Sequence, residues 1–179
     1  MDSVRLGRTG LMVSALGFGG IPIQRLTTEG AVDVVRACLD AGITFLDTAH
    51  GYGTSEERIG LAIKGRREGL VLATKSPATA ATAFVEQVEL SFRRLQVDHI
   101  DLLQFHNISS HDQYRAVMAP GGPYDIACEL KAAGRIGHIG VTSHNLGVAI
   151  DMARDNHFET LMFPFNFITR EPMEKLIPL

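Results

Sequence analysis

Apolar positions along the chain follow two spacings. Short continuous runs are typical of buried strands, and a spacing of three or four residues is typical of amphipathic helices. The first clear helical stripe lies between Glu29 and Ala41, and Gly42, a residue type that commonly ends helices, follows it. Its apolar members are Ala31, Val34, Val35, Cys38 and Leu39. Because comparable stripes follow the later apolar runs, the pattern predicts alternating strands and helices.

Six of the apolar runs are predicted as strands. They are Ala15–Gly20, Ile43–Asp47, Gly69–Lys75, Ile100–His106, Ile136–Val141 and Thr160–Phe165. A long loop with prolines and glycines at 120–123 follows the fourth strand, and Glu171–Leu179 is predicted as the first turns of a sixth helix. Before the first strand, Val4–Val13 alternates weakly around Gly7 and Gly10, which indicates a β-hairpin.

Regular alternation of strand and helix predicts a parallel sheet with right-handed crossovers. A doubly wound sheet usually carries a G-x-G-x-x-G loop after its first strand, and Leu16–Gly20 lacks that spacing. We therefore predict an α/β fold of the TIM (β/α)8-barrel type. A full barrel needs eight units and about 250 residues. The 179 residues are predicted to form a single domain, 1–179, with the N-terminal hairpin and about six β/α units. The last two β/α units of the barrel are expected to be missing.

Composition and charge exclude several classes of protein. The net charge of -3 and the lack of a basic run argue against a nucleic-acid partner. No apolar stretch is long enough for a bilayer, and the start of the chain lacks a signal-peptide layout, so a cytoplasmic location without membrane contact is expected by elimination. Cys38 and Cys128 fit neither a disulfide framework nor a metal site, and both are expected to be buried in helices.

Candidate chemistry is concentrated at predicted strand ends. Asp47 ends the second strand, and Tyr52 lies in the loop just beyond it. Lys75 and His106 end the next two strands. Alone, each is more often a turn, loop or solvated residue. Side chains at the C-terminal strand ends of an α/β barrel converge on one face, however, so these four are expected to meet there.

Tyrosine has a pKa near 10, and a nearby ammonium lowers it by favouring the phenolate. Lys75 is expected to act on Tyr52 in this way, with Asp47 holding the ammonium and His106 orienting a carbonyl by a hydrogen bond. Such a set can protonate an oxygen, but none of its members carries a hydride, so a nicotinamide cofactor is implied. Ser143 supplies a hydroxyl and Asn145 an amide that suit a carboxamide.

The segment D-T-A-H-G-Y-G-T-S-E-E at 47–57 resembles the signature of the aldo-keto reductase family. Within it, Thr54 and Glu57 predict a capping box for the next helix. The resemblance implies a catalytic tetrad, in which tyrosine is the general acid, lysine and aspartate tune it and histidine positions the carbonyl. The four residues at the tetrad positions are Asp47, Tyr52, Lys75 and His106.

The resemblance also implies contacts to the cofactor, expected to be NADP with NAD possible. Ser143 and Asn145 match positions that hold the nicotinamide carboxamide. Met162 falls where many relatives have a glutamine, so one hydrogen bond is expected to be lost. Gly19 is one of the glycines near the end of the first strand, where glycine allows close backbone approach, and it joins Asp47 among the predicted cofactor-binding residues.

Two features of the family have no counterpart here. In the family, the loops of strands seven and eight hold the pyrophosphate and adenosine and select NADP. The resemblance implies a C-terminal truncation that removes these two strands. Gly140–Ile168 is similar to bacterial members related to an iron–sulfur subgroup, although no cysteine cluster is present.

The expected activity is NAD(P)H-dependent reduction of a small aldehyde or ketone, with no metal. The alternatives are a catalytically silent fragment and a binding or regulatory subunit. An incomplete barrel has open strand edges, so self-association through them is also expected.

Overall fold

The computed structural model describes all 179 residues. Its strands are β1 Ser3–Arg5, β2 Met12–Ser14, β3 Phe18–Gly19, β4 Phe45–Asp47, β5 Val71–Ser76, β6 Ile100–Phe105, β7 Ile136–Thr142 and β8 Thr160–Met162. Its α-helices are α1 Thr28–Asp40, α2 Ser55–Ile63, α3 Ala81–Leu95, α4 His111–Val117, α5 Pro123–Ala132, α6 Leu146–Asp155 and α7 Pro172–Lys175. A short 3-10 helix covers Pro22–Arg25.

The six strands β3 to β8 form one parallel sheet in chain order, and β1 and β2 form the expected antiparallel hairpin. The sheet curls into half of a barrel, and β3 does not pair with β8. The predicted α/β fold, an incomplete barrel of six units, is therefore confirmed. No helix is both long and apolar enough to cross a membrane.

The core lies between the curled sheet and the helices outside it. On α3, residues Phe84, Val88 and Leu95 are buried, as the helical spacing predicts. Phe84 stacks on Phe105 of β6 with 5.3 Å between ring centroids, and Phe158 meets the same ring edge-on. These contacts hold the helices against the middle strands of the sheet.

Several local expectations were wrong. Strand β8 ends at Met162 rather than Phe165, because Pro164 has no N–H for the ladder. The predicted loop after β6 contains α4, which Ser110 and Gln113 cap reciprocally. Thr54 makes no capping hydrogen bond to α2.

Three side chains that were assigned to buried helix faces are more exposed than predicted. Cys128 is exposed and Cys38 only partly buried, and Val34, a member of the predicted first helical stripe, has 40% of its surface exposed. A spacing of three or four residues covers a wide arc, so residues at the rim of the stripe face solvent.

Candidate active site

Strand register brings the predicted residues to one edge of the sheet. In the parallel ladder, Asp47 lies beside Gly19 on one side and Ala73 on the other. Lys75 pairs with Gln104 of β6, and His106 follows the end of that strand. All of these positions are at the carboxyl ends of neighbouring strands, as the barrel topology requires.

A buried ion pair occupies the centre of this edge. The Lys75 ammonium lies 2.5 Å from Asp47 Oδ2 and also donates to the Thr48 carbonyl oxygen at 2.7 Å. Only 2% of the Lys75 side chain is exposed. Gln104 Nε2 donates to the second oxygen, Asp47 Oδ1, at 3.0 Å. Both carboxylate oxygens are therefore satisfied, which a buried charge requires.

Gln104 was missed in the sequence analysis, although a signal existed. Alternate residues of a strand face the same side of a sheet, so Gln104 shares a face with His106, two positions later. A buried amide on the site-facing side of β6 could have been marked as a partner of the Asp47 carboxylate.

Burial opposes both charges of the pair. Desolvation raises the pKa of Asp47, and the attraction and hydrogen bond of Lys75 work against that rise. Desolvation also lowers the pKa of Lys75, while Asp47 works in the opposite direction. The pair therefore exists because each charge compensates the other.

Tyr52 reaches the pair from the loop after β4. Its hydroxyl lies 3.5 Å from His106 Nε2, and the two rings meet edge to face at 82°. Lys75 Nζ lies 5.1 Å from the centre of the Tyr52 ring. The three side chains and Asp47 thus come together as the sequence predicted.

The expected effect of Lys75 on the phenol is not what the structure shows. The pKa of Tyr52 is raised above its ordinary value, first by burial and then by the Asp47 charge. The reason is geometric, because the ammonium bonds to Asp47 and Thr48 and lies over the ring rather than at the hydroxyl. The phenol consequently stays protonated at neutral pH.

His106 is a neutral imidazole at physiological pH. Burial, followed by the charges of Lys75 and His144, lowers its pKa to about 4. A neutral ring with one N–H can donate a hydrogen bond without bringing a second positive charge next to Lys75.

A cavity of about 330 Å³ opens at this point. It is lined by Tyr52, Lys75, His106, Thr142, Ser143, His144, Met162, Phe163 and Pro164. A groove of about 650 Å³ at the amino ends of β5 and β6 is larger but contains none of the predicted site residues. The smaller cavity combines polar groups with one apolar wall, which is typical of small-molecule sites.

The residues predicted to hold a cofactor lie around the same edge. Ser143 is buried, and its hydroxyl donates to the Asn145 carbonyl oxygen at 3.2 Å. Asn145 Oδ1 caps α6 by accepting from Gly147 N and Val148 N, which leaves its Nδ2 as an available donor. Met162 ends β8 beside the cavity.

Gly19 is the remaining predicted cofactor contact. An added Cβ there would meet no atom within 4 Å, so the space above the end of β3 is open. A hydroxyl, an amide donor and an open glycine are a suitable set for a carboxamide and its attached ribose, so the residues fit the nicotinamide end of a cofactor. No group of three or more potential metal ligands occurs in the structure.

Comparisons with known proteins show the family to which the chain belongs. The model of the Aldo/keto reductase family matches residues 15–179. Aldo-keto reductase YhdN of Bacillus subtilis is 32% identical over 99% of this chain and 58% of its own length. The chain spans 58%, 60% and 49% of the length of three of the curated relatives it matches.

Two solved structures are also similar. The holo form of aldo-keto reductase AKR11C1 from Bacillus halodurans aligns with a TM-score of 0.86 and 30% identity, covering 97% of this chain and 61% of the other. An aldo/keto reductase from Klebsiella pneumoniae in complex with NADP and acetate aligns with a TM-score of 0.83 and 28% identity, covering 98% and 62%.

Proposed function

Because this chain belongs to the aldo/keto reductase family, we propose that it supports reduction of an aldehyde or ketone to an alcohol, with NADPH or NADH as the hydride donor. The observation that carries the proposal is the meeting of Tyr52, His106 and the Lys75–Asp47 pair at one cavity. A phenol proton donor and a neutral imidazole within 3.5 Å of each other can both reach one carbonyl oxygen.

Tyr52 acts as the general acid and transfers its hydroxyl proton to the carbonyl oxygen as the carbon is reduced. Its raised pKa keeps the phenol protonated before the reaction. After the transfer a phenolate remains, and the Lys75 ammonium offsets its charge. Solvent then returns the proton.

His106 positions the substrate. In the neutral tautomer with hydrogen on Nε2, it donates to the same carbonyl oxygen that Tyr52 protonates. Two donors fix the direction of the C=O bond, which restricts the substrate to a reactive orientation.

A bound nicotinamide supplies the hydride. Ser143 and Asn145 would hold its carboxamide, and Gly19, Asp47 and Met162 would border it. Met162 offers no side-chain hydrogen bond there, so Asn145 Nδ2 carries more of the recognition. NADP is the proposed cofactor, supported by the similarity to the Klebsiella protein in its NADP complex.

The test is a fluorescence titration of the protein with NADPH and with NADH, followed by turnover of small aldehydes and ketones. We expect micromolar binding and carbonyl-dependent oxidation of the cofactor. Tyr52→Phe, which keeps the ring and removes the proton donor, should bind the cofactor but not turn over. Binding without turnover in the unmodified chain would favour a binding or regulatory role, and a folded chain that binds neither cofactor would contradict the proposal.

A further inference from the structure

Glu56 is the one carboxylate among the fully buried residues, with 0% of its side chain exposed. It lies in the first turn of α2, directly after the loop that carries Tyr52. A buried carboxylate costs stability unless its oxygens are bonded, so its presence requires a compensating arrangement. We propose that Glu56 is a positioning residue that holds the Tyr52 loop over Lys75, an inference that rests on the proposed function.

The first carboxylate oxygen of Glu56 contacts the strand that bears Lys75. Thr74 Oγ1 donates to Glu56 Oε1 at 2.6 Å, and Thr74 directly precedes Lys75 in β5. Successive side chains of a strand point to opposite faces, so Lys75 faces the cavity while Thr74 faces α2. Glu56 therefore fixes β5 from the side opposite the active site.

The second oxygen contacts the loop through an arginine. Arg94 Nη1 lies 3.4 Å from Glu56 Oε2, and the same nitrogen donates to the His50 carbonyl oxygen at 3.4 Å. The backbone N–H of His50 donates to the Lys75 carbonyl oxygen at 2.9 Å. His50 is thus held on both sides of its backbone, two residues before Tyr52.

Together these contacts connect the two parts of the site. Glu56 reaches the Lys75 strand through Thr74 and the Tyr52 loop through Arg94. Loss of this connection would free the His50 carbonyl oxygen while the bond from the His50 N–H to the Lys75 carbonyl oxygen remains, so the distance of 5.1 Å between Lys75 Nζ and the Tyr52 ring would be held less firmly.

If Glu56 only ties α2 to Arg94 of α3, its substitution should leave kcat and the surroundings of Tyr52 unchanged. Glu57 also approaches Arg94, at 3.6 Å from Nε, but 53% of its side chain is exposed. Glu57→Gln removes the same charge from the next residue of the same helix. It is therefore a matched control for Glu56→Gln.

Glu56→Gln keeps the size of the side chain and an oxygen for Thr74. It turns amide hydrogens toward Arg94, so Arg94 Nη1 loses the carboxylate oxygen that it faces and its hold on His50 weakens. We expect kcat to fall about tenfold, since small misplacements of reacting groups are costly, with the Kd for NADPH changed less than about twofold. Glu57→Gln should leave both within about twofold of the unmodified chain.

A second readout does not depend on turnover. The chain has three tyrosines, so labelling with 13C at the ring carbon that bears the hydroxyl gives three NMR signals. Tyr52→Phe identifies the Tyr52 signal by its loss. We expect Glu56→Gln to move that signal and leave those of Tyr114 and Tyr124 in place, while Glu57→Gln moves none.

The outcomes separate the two proposals. If the Tyr52 signal moves in Glu56→Gln but not in Glu57→Gln, the positioning role is supported. If the unmodified chain then shows no turnover, the proposed function is contradicted. An unmoved signal with unchanged kcat overturns the positioning role. If Glu56→Gln fails to fold, Arg94→Lys replaces it, because an ammonium keeps the charge but cannot hold Glu56 and His50 with one planar group. An unmoved Tyr52 signal in Arg94→Lys would overturn the inference equally.

Discussion

Removal of Lys75 is the most informative perturbation of the buried ion pair. In Lys75→Met the apolar stem is kept and the ammonium is lost, so Asp47 remains buried with only its bond to Gln104. Breaking one side of a buried pair costs about 3–5 kcal/mol. Because 15% of the Asp47 side chain is exposed, we expect the lower end of that range, about 3 kcal/mol at pH 7.

The cost should depend on pH in a defined direction. Burial already raises the pKa of Asp47, and without Lys75 nothing charged opposes that rise. The folded state then binds a proton more readily than the unfolded state, so the free energy of unfolding increases as the pH falls below the raised pKa. The penalty of Lys75→Met should therefore shrink as the pH is lowered from neutral, because the carboxyl takes up its proton.

The assay is urea unfolding followed by circular dichroism. With a slope of about 2 kcal/mol per molar urea, a loss of about 3 kcal/mol lowers the midpoint by roughly 1.5 M. The control is Lys75→Met combined with Asp47→Asn, which removes both charges at nearly constant volume. We expect the double variant to be more stable than Lys75→Met alone at pH 7. Equal midpoints for the two, or a penalty that does not change with pH, would refute the account of the pair.

Four further results are expected. Tyr52→Phe should lower turnover by a factor of about 10²–10⁴, measured as cofactor oxidation at saturating cofactor, because the general acid is lost. Gln104→Leu should lower the free energy of unfolding in urea by about 1–3 kcal/mol, because it leaves one oxygen of Asp47 unsatisfied. Because the pKa of His106 is about 4, the rate should show no step from this residue between pH 5 and 8. The unfolded chain binds a proton at this histidine from about pH 6.5 downward and the folded chain does not, so the free energy of unfolding should fall between about pH 6.5 and 4, measured by thermal unfolding. The open edge should promote self-association, and light scattering should show a mass that rises with concentration. Phe167→Glu, at a side chain 88% exposed in the segment that follows the edge strand β8, should reduce that rise. An unmodified chain that stays monomeric at all concentrations would contradict this.

The fold could be predicted because each unit repeats a strong local pattern. The spacing of Phe84, Val88 and Leu95 fixed the buried face of α3 without any knowledge of its neighbours. The convergence of Asp47, Lys75 and His106 followed from topology alone, since parallel strands align their carboxyl ends. Boundaries were less predictable, because pairing at strand ends depends on partners that are distant in sequence.

Partners in the site were harder to predict than the fold, because they are also distant in sequence. Gln104 bonds to Asp47 across 57 positions, and Glu56 reaches Arg94 across 38. Thr54 had the right spacing for a capping box, but its backbone lies outside the extended conformation that a capping residue needs. Asn145 does cap its helix, because its backbone is extended and its side-chain oxygen accepts from Gly147 N and Val148 N.

The position of each functional group in the sheet has a consequence for how the site is held. Asp47, Lys75 and Gln104 lie on β4, β5 and β6, the interior strands, each paired on both sides. Ser143 and Met162 follow β7 and end β8, and β8 has a partner only on the β7 side. The Lys75–Asp47 pair and Gln104 are therefore fixed by ladders within this chain. Met162, on the side proposed to bind the cofactor, lies at an unpaired edge, so the geometry there depends on how well that edge is ordered. Binding of a nicotinamide tests that side separately from the chemistry of Tyr52.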